Sequence, residues 1–210
     1  VLAGCAPDTV LGAGIQRARA AIDAAEIGSP VAAQAFLLCP GHESWHPSPE
    51  FYYQRGGGPM LDMGPYYVTA LVHLLGPIRR VTGSVKRTFP TRTITSQPKS
   101  GTVVDVEVNT HQTGVFDFAD GAIAHLTTSF DVHHGDFGNI VVHGSEGSLR
   151  VPDPNGFDGD VMIRRKGDGE WRLLDPIVPT HVNGRGLGLI DLVRAVREGR
   201  EPRASGALAY

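Results

Sequence analysis

Cysteine is scarce in this chain. Cys5 and Cys39 are the only two among 210 residues, and they are not in CxxC spacing. A disulfide scaffold is thereby excluded, and a reducing, cytoplasmic setting fits best. No apolar run approaches the ~20 residues that a membrane-spanning helix needs. Blocks of like charge, long repeats and low-complexity tracts are absent as well. The net charge of −3 gives no reason to expect nucleic acid or an anionic membrane as partner. A dinucleotide fingerprint is also missing. Gly12-Ala13-Gly14 begins like GxGxxG, but Arg17 stands where the last glycine belongs. Those glycines also open a helix several residues after a strand, instead of following one directly.

What is present reads as a globular chain. Apolar residues make up 41% and charged residues 20%, enough for one domain with a core. The 27 glycines and 15 prolines point to many turns and short strands. The first five residues, VLAGC, look like a lipoprotein cleavage box, but no basic or apolar leader segment precedes them. Residues 1–6 therefore read as a buried strand. A chain starting on Val and stopping at Tyr210 reads as a fragment.

In residues 12–28, Ile15, Ala18, Ile22 and Ala25 recur at helical spacing, and Gly28 stops the helix. Residues 30–39 form a strand, as do 78–87, while the Pro/Ser/Thr-rich 89–102 reads as a mobile loop. Val104, Val106 and Val108 alternate with polar residues, a half-buried strand. Three further strand pairs flank Ala119-Asp120-Gly121, Gly144–Gly147 and Gly167–Gly169, all tight-turn signals. Residues 186–200 close as a helix with Leu189, Leu192, Val193 and Val196 inward. The fold class is therefore α+β: an open, mainly antiparallel β-sheet with helices packed on one face.

The chain is organised around residues 56–76, GGGPMLDMGPYYVTALVHLLG. Three glycines let the backbone bend closely. Read as one helix at 100° per residue, Asp62, Tyr66, Thr69 and His73 fall in a stripe roughly 60° wide. The rest of the surface is apolar, so the helix is buried. Asp62 could instead cap the helix, although Pro65 then has no N–H to offer it. His73 reads as a core histidine. Asp62 with Tyr66 reads as a site.

Upstream lies PGHESWHPSPEFYYQRGGG, which contains the letters HExxH. That zinc motif works on a helix, where both imidazoles share a face, and here prolines bracket it on both sides. The adjacent His133 and His134 read as loop residues.

The segment GGGPMLDMGPYY resembles the active-site helix of the glucose-fructose oxidoreductase / inositol dehydrogenase / MocA (Gfo/Idh/MocA) family, and the downstream HGSEGSLRVPDPN extends the match. Asp62 matches the family Asp. The family His four residues later is Tyr66 here, as in some members. The resemblance implies NAD or NADP, bound mainly by a nucleotide-binding domain upstream, and a catalytic Lys from that domain. Residues 1–28 would be the trailing strand and helix of that domain, and 29–210 the substrate-binding and oligomerisation domain. Asp62 and Tyr66 would be catalytic. His42, Trp45, His46 and Tyr53 would contact a sugar or polyol. The open sheet face would form a homodimer or tetramer. A non-catalytic binding or dimerisation module and an HExxH zinc hydrolase are the alternatives.

Overall fold

The computed structural model describes residues 2–177 and 184–210. Ten strands and five helices follow one another in the order α1 (Ala13–Asp23), β1 (Pro30–Leu38), α2 (Pro59–Asp62), α3 (Gly64–Leu75), β2 (Ile78–Lys86), β3 (Thr91–Thr93), β4 (Val103–Asp105), β5 (His111–Phe118), β6 (Ile123–Ser129), β7 (Ile140–Gly144), β8 (Gly147–Val151), β9 (Met162–Arg165), β10 (Arg172–Leu173), α4 (Leu187–Glu198) and α5 (Gly206–Ala209).

Eight strands form one sheet in the order β10-β9-β8-β7-β1-β6-β5-β2. Every pairing in it is antiparallel except β1 with β6, which run parallel with Ala33 opposite Ala124 and Leu38 opposite Ser129. Period-2 alternation puts one side chain of each pair inward. Ala33, Ala35, Phe116, Phe118, Ala124, Leu126, Ile140, Val142, Leu149 and Ile163 all join the core. Against them lie Ile15, Ala18 and Ala21 of α1 and Tyr67, Ala70, Leu71 and Leu74 of α3. Each large side chain fully buried here contributes about 1.5–3 kcal/mol.

A second, smaller core sits beyond the end of β6. Tyr53, Ile94, Val104, Val106 and Phe130 pack together there, with Cys39 and Tyr52 partly buried against them. The β3–β4 hairpin therefore fastens down the long strap between β1 and α2. Glu107 N–H donates to the Tyr53 carbonyl (2.8 Å), and Thr95 and Ser96 N–H donate to the Glu43 carbonyl (2.9 and 2.8 Å). Residues 89–102 are thus tied into the fold and are not the free loop their composition suggests.

Three more expectations need correction. Residues 2–6 form no strand: Gly4 makes one isolated bridge to Ser205. The helix expected across residues 60–75 breaks at Met63, because Pro65 has no N–H for the Leu61 carbonyl and Tyr66 N–H bonds back to Met63 O instead (3.1 Å). In α4 the buried residues are Asp191 and Ala195, while Leu189, Val193 and Val196 remain exposed. Asp191 turns inward because Arg200 and the Arg203 N–H bond its carboxylate (2.8 and 2.6 Å).

Candidate active site

The site forms at the rim where β1 and β6 both end. The strap leaves β1 at Cys39, and its N–H donates to the Ser129 carbonyl (3.0 Å). Residues 42–46 make a single turn, with His46 N–H donating to His42 O (3.0 Å). The strap closes through Gly57. A Cβ there would lie 2.4 Å from Phe51 O and 2.7 Å from Tyr52 O, so only glycine fits. Gly58, at φ 90°, then turns the chain into α2. Gly57 serves this close backbone approach, whereas Gly56 stands in open space.

Asp62, the last residue of α2, borders a cleft of about 370 Å³ with Phe51, Tyr52, Gln54, Arg55, Gly56, Gly57 and Leu61. Its Oδ2 lies 3.6 Å from His42 Nε2. The Tyr52 hydroxyl is pushed above its usual pKa by burial and by the Asp62 charge. Around this pair stands an aromatic shelf. The His42 ring packs on Tyr52 (centroids 4.0 Å) and edge-on to Trp45 (5.2 Å), while His46 meets Phe51 and Tyr52 edge-on (both 5.4 Å). Trp45 and Phe51 are 61% and 52% exposed, so their faces are open to a ligand's C–H groups.

The expected residues therefore separate. Asp62, His42, Trp45 and His46 come together. Tyr66 does not border the Asp62 cleft: it lies past the break at Met63, half-buried against the main core. Tyr53 is fully buried, and its hydroxyl donates to Glu43 and accepts the His42 N–H (3.2 Å). It cannot touch a substrate, since phenol burial and strap anchoring go together. His73 bonds Gln16 of α1 (3.1 Å), and burial and nearby Arg19 hold its pKa low. Sequence reasoning missed Tyr52 and Arg92. The repeated aromatics of FYY hinted at the first, but nothing near residue 92 marked the second.

The arrangement does not suit zinc. Glu43, the would-be base of HExxH, is bound to Arg92 (2.9 Å) and to Tyr53, and His46 Nδ1 accepts Ser48 N–H (3.0 Å). Among the described residues, no three His, Cys, Asp or Glu side chains are grouped to hold a metal. Gly12 and Gly14 likewise face protein: added Cβ atoms would strike Phe157 O at 2.3 Å and Pro152 Cγ at 2.5 Å. They have no room for a pyrophosphate.

The family description that matches residues 15–150 is the GFO/IDH/MocA C-terminal domain. The chain belongs to this family. Among solved structures, this Gfo/Idh/MocA chain is similar to levoglucosan dehydrogenase in complex with NADH and L-sorbose, at 20% identity and TM-score 0.71, covering 92% of this chain and 56% of that one. It is similar to an NAD binding oxidoreductase from Klebsiella pneumoniae at 19% identity and TM-score 0.74, covering 95% and 58%. An oxidoreductase from Agrobacterium radiobacter, in complex with NAD+, L-tartaric acid and magnesium, aligns at 15% identity and TM-score 0.69, over 100% and 59%. The chain thus spans somewhat more than half the length of these relatives. No curated protein matches it.

Proposed function

We propose that this chain is the substrate-binding and catalytic part of an NAD(P)-dependent oxidoreductase acting on a sugar, polyol or similar secondary alcohol, in a reducing cytoplasm. The observation that carries the reading is Asp62 at the edge of a cleft lined by the exposed Phe51 and the half-buried Tyr52, with His42 3.6 Å from its carboxylate. The L-sorbose and L-tartaric acid bound in two of the relatives support a polyhydroxylated substrate. Residues 1–28 are the trailing part of the nucleotide-binding domain in this reading, and 29–210 are the substrate domain.

The dinucleotide, NAD or NADP, is held mainly by that other domain, and when bound it supplies the hydride acceptor or donor. This chain supplies placement. Asp62 accepts a hydrogen bond from the substrate hydroxyl and fixes its direction. Trp45 and Phe51 offer faces for the ring C–H groups, and His46 closes the shelf. As hydride moves, the hydroxyl proton must also move, and the family resemblance assigns that transfer to Tyr66. Tyr66 lies outside the Asp62 cleft, so the role requires a substrate that reaches past the break at Met63 when the other domain completes the site.

Tyr66→Phe in the intact enzyme is expected to lower turnover by roughly 100-fold or more without loss of folding. Turnover near the wild-type rate would remove Tyr66 from the mechanism. A screen of polyols and aldoses with both cofactors tests the reaction itself. The second reading, a ligand-binding and dimerisation module, is favoured by the uncovered sheet face with exposed Val115 and Ile123. Sugar binding and self-association without any cofactor-dependent turnover would select it.

A further inference from the structure

His42 is unusual within the site. Both ring nitrogens are buried and have no hydrogen-bond partner. The ring is gripped by Tyr52, by Phe130 (4.6 Å) and by Trp45, and Nε2 points toward Asp62 at 3.6 Å. An imidazole so enclosed cannot bind substrate through its nitrogens, as the sequence suggested. It can act on the carboxylate beside it.

The backbone of His42 is held from below by a continuous chain of bonds. Its N–H donates to the Tyr53 hydroxyl (3.2 Å), and that hydroxyl donates to Glu43. The other Glu43 oxygen accepts Arg92 Nη1 (2.9 Å), which also donates to the Pro40 carbonyl (3.3 Å). Arg92 Nη2 donates to Asp131 and to the Phe130 carbonyl (3.0 Å). The guanidinium lies over the rings of Phe89 and Tyr53 (5.1 and 5.4 Å). The Arg92, Glu43 and Asp131 side chains are only 11, 12 and 5% exposed.

Buried ions of this kind are costly to desolvate and contribute little net stability compared with apolar packing. Arg92 Nε is buried without a partner, yet the remaining bonds of the network tie the strap to β3 and to residues 130 and 131 and so supply rigidity. Here the rigid end of the network is His42, and the group beside it is Asp62. We infer that Tyr53, Glu43 and Arg92 are positioning residues that hold the His42 imidazole against Asp62 and so orient the carboxylate facing the cleft. The inference rests on the proposed role of Asp62 in binding the substrate hydroxyl. Catalytic hydrogen bonds are often long before substrate binds, so a 3.6 Å gap suits a pair that tightens in the complex.

The test uses the intact enzyme labelled with 15N-histidine. The variants are Tyr53→Phe, His42→Gln and their combination, with Glu43→Gln replacing Tyr53→Phe should that protein not fold. Each single variant is expected to lower kcat by about 10- to 100-fold with little change in KM, and the double variant no further than the worse single. Multiplying effects in the double variant would overturn the inference. Independently of any turnover, the His42 ring 15N resonances are expected to move in Tyr53→Phe and in Asp62→Asn. Unmoved resonances in Tyr53→Phe would overturn the inference even if the oxidoreductase activity is confirmed. Shifted resonances in a protein without turnover would uphold the positioning and reject the proposed reaction.

Discussion

Tyr67 and Tyr66 are neighbours on α3 with opposite surroundings. Tyr67 is fully buried, and its hydroxyl accepts a bond from Asn139 Nδ2 (2.8 Å). Burial first, then the Asp153 charge, raises its pKa above the ordinary 10.0. In the unfolded chain the phenol loses its proton near 10, while the folded chain keeps it. Above that pH the unfolded state therefore binds fewer protons, and stability falls as pH rises. Tyr67→Phe is expected to cost about 1 kcal/mol near neutrality and to flatten that alkaline decline. Urea unfolding on either side of pH 10 checks both signs. His73 gives the acid counterpart. Its pKa is depressed below 6.5, so the unfolded chain gains the proton first and stability falls with acidification below that value. His73→Gln should weaken this acid dependence in the same measurement.

At the scale of elements, the glycine hinge carries the sharpest prediction. Gly57→Ala places a methyl against the Phe51 and Tyr52 carbonyls of the same strap, so the turn over residues 51–57 must open. An overpacked site of this kind costs about 1–3 kcal/mol, read as a lower Tm. Gly64→Ala would meet only the flexible Met60 side chain at its Sδ (2.5 Å) and should cost less. The strands were legible in the sequence because the tight turns at 119–121, 144–147 and 167–169 mark hairpins, and these join β5 to β6, β7 to β8 and β9 to β10. The break at Met63 was harder to read. Asp62 and Tyr66 look collinear only if α2 and α3 are one helix, and Pro65 prevents that. The α4 stripe failed for another reason: a helical pattern shows which side is apolar, not what stands opposite it. The Arg92 network was hidden because its members lie at 43, 53, 92 and 131, with no local spacing to join them.

For the whole molecule, the sheet has two unlike faces. One carries the helices and the main core. The other displays Val115 and Ile123 with a small polar cluster in which Thr113 bonds His125 (2.7 Å) and Thr127 (2.9 Å), and Phe36 stacks on Phe137 (4.7 Å). A face of this composition suits a second copy. Val115→Lys with Ile123→Lys is expected to convert a self-associated protein into monomer in light scattering, with Tm unchanged or raised. Unaltered mass would place any assembly elsewhere. Among the described residues no helix is long and apolar enough to cross a membrane.

The hairpin between β5 and β6 turns at the rim opposite the cleft. There Gly121 sits at φ 93° with nothing within 4 Å of where a Cβ would be. A peptide tag inserted at this turn would tether the protein to a solid support with its aromatic shelf pointing into the liquid. Ligand capture could then be followed by surface-based detection without blocking the entrance.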